Sequence, residues 1–227
     1  MVSISPFGHG QGVYSPFDEI FDGYTNPVIT GTVKGNDALL LWGGEDIHPS
    51  FYGERAHPMN ECKSTEPSNR DMIEWHLIRE AREYGIPMIG VCRGAQMLCA
   101  FAGGRLIQHV TNHMHAHEIK THDGLSMNAS ANHHQMMEPT GTEYELLAWR
   151  ECVANTRYEG VDQLTGVPKL LQHGDFIDGI NEGCDPEVLW FPDVRGMAIQ
   201  PHPEWMDKKQ EFPKWIVEQV LNFTFGE

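Results

Sequence analysis

Three residues of types that suit covalent catalysis stand directly after predicted strands: Cys92, His202 and Glu204. Cys92 follows the apolar run 86–91 and precedes helix-forming residues, a pattern typical of a buried strand that turns sharply into a helix. A thiol there lies at the carboxyl end of a strand, where open α/β sheets bind ligands, and the helix N-terminus favours its negatively charged form. The position suits a nucleophile, although most cysteines in such runs are simply buried.

A cysteine nucleophile needs a base, and the base needs a group that orients it. His202 and Glu204 are two apart in an extended segment, so their side chains project to the same side, and the flanking prolines stiffen the backbone. The segment follows the apolar stretch 196–200. Because the ends of neighbouring strands meet along one edge of a sheet, we expect His202 to lie close to Cys92.

The reaction also needs donors for an oxyanion. The backbone N–H of Arg93, immediately after the cysteine, is one candidate. The other is the glycine pair 43–44, which closes the apolar run 37–42 and permits a close approach of the backbone. Both candidates follow predicted strands, so the same sheet edge would present them.

The elements that must position these residues alternate between strand and helix. The order is a strand at 37–42, a helix from the capping residue Ser68 to Gly85, a strand at 86–91 and a helix at 93–102. This order predicts a parallel sheet with right-handed crossovers. Further predicted elements are a first strand at 2–5, short strands at 115–120, 143–148 and 169–172, a hairpin of 187–191 with 196–200 around 192–195, and a final amphipathic helix around 215–223.

Length and charge narrow the function. A chain of 227 residues predicts one α/β domain spanning 1–227, and a formal charge of −16 opposes broad contact with nucleic acid or anionic lipid. The five cysteines are scattered without a CxxC pair, which is typical of a reducing compartment. With no apolar run long enough to span a bilayer and no signal-like N-terminus, we expect a cytoplasmic protein that binds a small molecule.

The motifs then indicate a family. Residues 90–96 with the glycines 103–104, and residues 200–205, resemble the class I glutamine amidotransferase-like superfamily. Residues 43–49 and 52–54, followed by Arg70, Asp71 and Glu74, resemble its branch of γ-glutamyl hydrolases typified by γ-glutamyl-γ-aminobutyrate hydrolase. Residues 131–135 are similar to that branch's Asn-Ser-x-His-His-Gln motif. The four matches occur in order between residues 37 and 205.

This resemblance implies a flavodoxin-like fold: an open, mostly parallel sheet with helices on both faces and a small additional antiparallel region. It also implies a Cys-His-Glu triad that cleaves γ-glutamyl amides through a thioester, with no metal or other cofactor. The roles that it implies are nucleophile for Cys92, base for His202, orienting acid for Glu204, oxyanion donors for Gly44 and Arg93, glutamyl contact for Gln96, and pocket lining for His133 and Gln135.

The motifs leave the leaving amine, a metal site and the exact function undecided. The family's Asn-Ser is replaced here by Ser130-Ala131, and residues 1–36 carry no clear match, so the leaving amine is not identified. The histidines between His109 and His122 could bind zinc, a role that the resemblance does not require. The alternatives to a hydrolase are a glutaminase subunit that supplies ammonia to a synthetase partner and a non-catalytic binding module. The oligomeric state is not readable from the sequence.

Overall fold

The order of the elements follows the alternation that the sequence predicts. The computed structural model describes residues 4–7, 32–151, 157–162, 164–170 and 184–226. The strands are β1 (Ile4–Phe7), β2 (Ala38–Leu41), β3 (Met88–Val91), β4 (Arg105–Ile107), β5 (His109–Val110), β6 (His117–Thr121), β7 (Ser126–Ala129), β8 (Met136–Glu138), β9 (Glu145–Glu151), β10 (Arg157–Val161), β11 (Pro168–Leu170), β12 (Cys184–Phe191) and β13 (Gly196–Ile199). The α-helices are α1 (Asn69–Tyr84), α2 (Arg93–Phe101) and α3 (Glu211–Gln219), which continues as a π-helix over Val220–Phe225.

The main sheet has eight strands in the order β1-β2-β3-β13-β12-β9-β6-β7. The first four strands are parallel to one another, and each later strand is antiparallel to its neighbour. The α/β class and the parallel core are therefore confirmed. The antiparallel part is larger than the sequence predicts, because it continues the main sheet instead of forming a separate small region. Two small sheets, β11-β10-β5 and β4-β8, complete the described strands.

Helices cover both faces of this sheet, as predicted, and the side chains of β2 and of Trp42, the residue that follows it, show why. Leu39 and Leu41 belong to the core beneath α1 and α2, whereas Leu40 and Trp42 belong to the core beneath α3. Both sets of side chains are almost fully buried. A strand that is covered on both faces needs a continuous apolar run, which is the pattern that this segment has.

Helix α1 begins and ends at the predicted residues. Ser68 is the N-cap, and its hydroxyl accepts a hydrogen bond from the backbone N–H of Asp71, whose carboxylate accepts one from the backbone N–H of Ser68. Gly85 ends the helix in the left-handed conformation. These local signals fix where α1 begins and where it ends.

Parts of two segments lie outside the described residues. One is most of the segment between Pro6 and Lys34, which the sequence leaves unassigned, and the other is residues 171–172 of the predicted strand at 169–172. Among the helices that the structure describes, none is both long enough and apolar enough to traverse a bilayer.

Candidate active site

Cys92 occupies a sharp turn between β3 and α2. Its backbone has φ 50° and ψ −106°, a conformation that is strained for a residue with a side chain. The strain is held by the surroundings, because the backbone N–H of Cys92 donates to the carbonyl oxygen of Ile199 at 2.7 Å. Gly90 and Gly94 also allow strand and helix to pack in direct backbone contact, since a Cβ on Gly90 would overlap the backbone of Gly94. The cysteine is thus fixed at the sheet edge, with 6% of its surface exposed.

His202 and Glu204 lie beside Cys92. The backbone N–H of His202 donates to the carbonyl oxygen of Ser130 at 2.8 Å, which anchors the segment that follows β13. Its ring atom Nδ1 is 2.7 Å from Oε1 of Glu204. The ring also lies beside the side chain of Cys92, since both border the position that a Cβ on Gly43 would take, and Nε2 is the ring nitrogen that does not contact Glu204. The structure therefore brings the three predicted side chains together in the order sulfur, imidazole, carboxylate.

The charge state of His202 follows from these contacts. Burial by itself lowers the pKa of this histidine, but the hydrogen bonds with Cys92 and Glu204, together with their negative charges, outweigh burial and raise the pKa to about 9. The imidazole is then a cation at neutral pH and carries a proton on both nitrogens. It can hold Glu204 with one N–H and the sulfur of Cys92 with the other.

The predicted oxyanion loop lies against this pair. A Cβ placed on Gly43 would be 2.9 Å from Cε1 of His202 and 3.5 Å from Cβ of Cys92, so no larger residue fits there without moving the imidazole. Gly44 has a φ of 151°, and a Cβ on it would overlap the guanidinium of Arg70. The loop therefore passes directly over the cysteine and the imidazole.

Arg70 holds this loop from behind. Its Nη2 donates to the carbonyl oxygens of Trp42 and Gly43 at 3.1 and 3.0 Å, and its Nε donates to Glu74 at 2.8 Å. Two carbonyls that are turned toward the guanidinium leave the following N–H groups turned away from it. The sequence suggests Arg70 only as part of a motif, and its contact with the loop backbone is a finding of the structure.

Arg93 contributes more than the predicted backbone N–H. Its side chain is buried, with 2% of its surface exposed, and it forms ion pairs with Asp71 and Glu74. Asp71 therefore caps α1 with one carboxylate oxygen and pairs with Arg93 through the other. This network ties the first turn of α2, directly after Cys92, to α1. The spacing of Asp71 and Glu74 on one helix face is the signal that could have revealed it.

The three predicted pocket residues lie in one buried region behind the cysteine. Nε2 of Gln96 donates to the carbonyl oxygen of Gln135 at 3.1 Å, and the same carbonyl accepts from Nδ1 of His133 at 2.8 Å. Gln96 Nε2 is also 3.4 Å from Oε1 of Gln200, a residue that sequence reasoning missed. Burial and the neighbouring His113 lower the pKa of His133 well below its usual value, so this imidazole is neutral.

Trp205 covers the exposed side of the imidazole. Its ring lies parallel to the ring of His202, with centroids 3.7 Å apart and an interplanar angle of 2°, while 57% of the tryptophan surface remains exposed. A tryptophan face attracts a cation, so this contact favours the charged form of His202. The aromatic group thus shields the imidazole of His202 from one side at the surface of the site.

Together these features define a class of protein: an α/β sheet with a cysteine at a strand-to-helix turn and a His-Glu pair after a neighbouring strand. Comparison with known proteins gives the family. The model of the peptidase C26 family matches residues 24–204. The chain belongs to this family, whose members are class I glutamine amidotransferase-like proteins.

Individual relatives agree with this assignment. The chain is 29% identical over 235 residues to the glutamine amidotransferase-like protein YvdE of Lactococcus lactis subsp. lactis (strain IL1403), covering 98% of this chain and 94% of YvdE. It is 25% identical over 192 residues to the γ-glutamyl-γ-aminobutyrate hydrolase PuuD of Escherichia coli (strain K12), covering 82% of this chain and 70% of PuuD. The solved structure of a glutamine amidotransferase from Thermotoga maritima superposes with a TM-score of 0.57 at 11% identity, covering 99% of this chain and 96% of that one, and supports the fold.

Proposed function

We propose that this protein is a cysteine-dependent hydrolase that cleaves the γ-glutamyl amide bond of a small γ-glutamyl conjugate. The observation that carries the proposal is the contact of His202 with both Cys92 and Glu204 at the edge of the sheet. Membership of the peptidase C26 family and the similarity to a γ-glutamyl-γ-aminobutyrate hydrolase support the choice of bond.

In the first half of the reaction, the thiolate of Cys92 attacks the carbonyl carbon of the amide. The negative charge that develops on the carbonyl oxygen is stabilised by the backbone N–H groups of Gly44 and Arg93. The imidazolium of His202 gives its Nε2 proton to the nitrogen of the departing amine, and the carbon–nitrogen bond breaks. A glutamyl thioester on Cys92 and a free amine result.

In the second half, His202 is neutral and takes a proton from water as that water attacks the thioester. The carbon–sulfur bond breaks, glutamate leaves, and the proton on His202 restores the imidazolium beside the thiolate. Glu204 stays hydrogen-bonded to Nδ1 throughout, which keeps Nε2 turned toward the reacting atoms. Gln96 contacts the glutamyl group, and Gln135 and His133 line its side of the pocket.

The test compares the intact chain with single-cysteine variants on a panel of γ-glutamyl amines and on glutamine, with free glutamate as the readout. We expect strong hydrolysis of at least one γ-glutamyl amine and little of glutamine. We expect Cys92→Ala to lose at least ~10³-fold of this activity. Cys62→Ala, which removes a partly exposed thiol outside the site, is the matched control and should retain activity.

Two results would overturn the proposal. Full turnover by Cys92→Ala would exclude the thiol as nucleophile. Activity on glutamine that appears only when a synthetase partner is added would instead identify an ammonia-supplying subunit.

A further inference from the structure

A second group of titratable side chains lies behind the candidate active site, and His133, which lines the proposed pocket, is its one member with a part in the proposed function. We call it the imidazole–carboxylate cluster, and it joins three segments of the chain: the histidine-rich segment before and at the start of β6, the loop between β7 and β8, and strand β12. Its members are His113, His117, His133, Asp185 and Glu187, and each is at most 9% exposed.

Hydrogen bonds at the edge of the cluster set the tautomers of two histidines. Nδ1 of His133 lies 2.8 Å from the carbonyl oxygen of Gln135, and a carbonyl can only accept, so the proton is on Nδ1 and Nε2 has a free lone pair. Nε2 of His113 lies 2.9 Å from a carboxylate oxygen of Asp185, which places a proton on Nε2 and makes Nδ1 the nitrogen that faces the rest of the cluster. Nε2 of His133 and Nδ1 of His113 are both buried.

Three buried atoms of the cluster have no hydrogen-bond partner within the described part of the chain: Nδ1 of His113, Nε2 of His133 and Oε2 of Glu187. The other oxygen of Glu187 is held by Nε2 of His117 at 2.7 Å. Buried polar atoms nearly always have a hydrogen-bond partner, so three that lack one in the same place point to a ligand that accepts electron pairs from nitrogen and oxygen. A metal cation is such a ligand.

The geometry agrees with this requirement. One ligand atom from each of His113, His133 and Glu187 lies within 4.8 Å of the other two, and Nδ1 of His113 is 3.5 Å from Oε1 of Glu187. Ligands at usual zinc distances in a tetrahedral site are roughly 3.3 Å apart, so side-chain movements of about 1 Å would suffice. The contacts of His113 with Asp185 and of His133 with a carbonyl are the outer contacts that metal-binding histidines usually make.

We propose that His113, His133 and Glu187 form a buried site for a divalent transition-metal ion of the zinc type. The two imidazoles and one carboxylate are a ligand set that zinc uses in proteins. Only His113 comes from the histidine-rich segment that the sequence singles out, and the other two ligands come from distant parts of the chain. This is why the segment by itself does not reveal the site.

The position of the site suggests a structural effect on the active site. The carbonyl of Gln135 binds both His133 and Gln96, so an ion that fixes His133 also fixes the partner of a residue proposed to contact the glutamyl group. The backbone N–H of Gln200 donates to the carbonyl of Glu187 at 2.8 Å, which links the same ligand to the strand end before His202. The ion would stabilise the floor of the pocket without touching substrate.

The experiment uses the full chain carrying Cys92→Ala, because the thiol of the active site could itself bind zinc. Equilibrium dialysis against Zn²⁺, with metal measured by mass spectrometry, should give close to one ion per chain. X-ray absorption of the bound zinc should show two imidazoles with oxygen or nitrogen ligands and no sulfur. Addition of Zn²⁺ should also raise the midpoint of thermal unfolding.

Two single variants in the same background locate the ion. His133→Gln should abolish stoichiometric binding, whereas His134→Gln, the adjacent histidine in the separate group formed with Asp46 and Glu61, should retain it. The proposal is overturned if no stoichiometric zinc is bound, if His134→Gln abolishes binding, or if the bound zinc has one imidazole or a sulfur ligand. The ligand count from X-ray absorption decides the question even if the His133 variant does not fold.

Discussion

Replacement of Glu204 by glutamine should move the alkaline limit of activity. A pKa of about 9 for His202, against 6.5 for an ordinary histidine, means that the folded protein favours the imidazolium by roughly 3 kcal/mol. Since the raised pKa keeps His202 protonated up to about pH 9, the proton for the leaving amine is present below that pH and is lost above it. In the unsubstituted protein, kcat/KM should therefore fall as the pH rises through about 9.

Glu204→Gln keeps the shape of the side chain but removes its charge, one of the two that hold the proton on His202. We expect the midpoint of the alkaline limb to move down by about one pH unit, with a lower kcat because the cation is less well stabilised. The assay is kcat/KM against pH on a chromogenic γ-glutamyl anilide. Glu83→Gln, which removes the same charge from the exposed face of α1, should leave the limb in place. An unchanged limb near pH 9 in Glu204→Gln would refute the role of this carboxylate.

Three further predictions follow from contacts around the site. Gly94→Ala should lower the free energy of unfolding by at least about 2 kcal/mol in urea titrations, because the new Cβ would overlap a carbonyl of β2. Gly196→Ala should lower it by less than half as much, because its Cβ would meet only side chains, at 3.2 Å or more. Arg70→Met should lower kcat by about 10²-fold, because the predicted oxyanion loop loses the guanidinium that anchors it. Arg79→Met, on the exposed face of the same helix, should leave kcat unchanged, and equal losses in the two variants would show that the effect comes from charge and not from the loop contact. Trp205→Leu should lower the alkaline limb by about half a pH unit through loss of the stacked cation contact, and a rise would contradict this.

The parts of the fold that could be predicted are those with local signals. Helix α1 is bounded by Ser68 and Gly85 because a capping box and a left-handed glycine act within a few residues. The strand-to-helix turn at Cys92 was predictable because an apolar run, the glycines and the helix formers are adjacent in the chain. The hairpin around residues 192–195 was predictable for the same reason.

The extent of the antiparallel half was not predictable in this way. Strand β9 pairs with both β6 and β12, whose sequences lie far from it on either side, so its register depends on contacts that no local pattern encodes. Strand β12 begins at Cys184, three residues before the predicted start, because Asp185 interrupts the apolar run yet is fully buried. A buried carboxylate on a strand is stable only with partners, and those partners come from elsewhere in the fold.

In the site, too, the local contacts could be predicted from the sequence and the long-range contacts could not. The two-residue spacing of His202 and Glu204 predicts their contact, and the edge rule for parallel strands predicts that Cys92 is near. The roles of these residues stay predictions. Arg93 could be expected to offer a backbone N–H, but its buried side chain in contact with α1 could not, since the pairing depends on how α1 and α2 pack.

The proposed reaction requires that the sulfur of Cys92, activated by His202, form the covalent intermediate. The most direct measurement is intact-protein and peptide mass spectrometry after treatment with a γ-glutamyl analogue that carries a chloromethyl ketone in place of the amide. We expect one adduct per chain on Cys92, formed more slowly in His202→Asn and absent in Cys92→Ala. An adduct on Cys62 instead, or labelling of Cys92 at the same rate without His202, would contradict it.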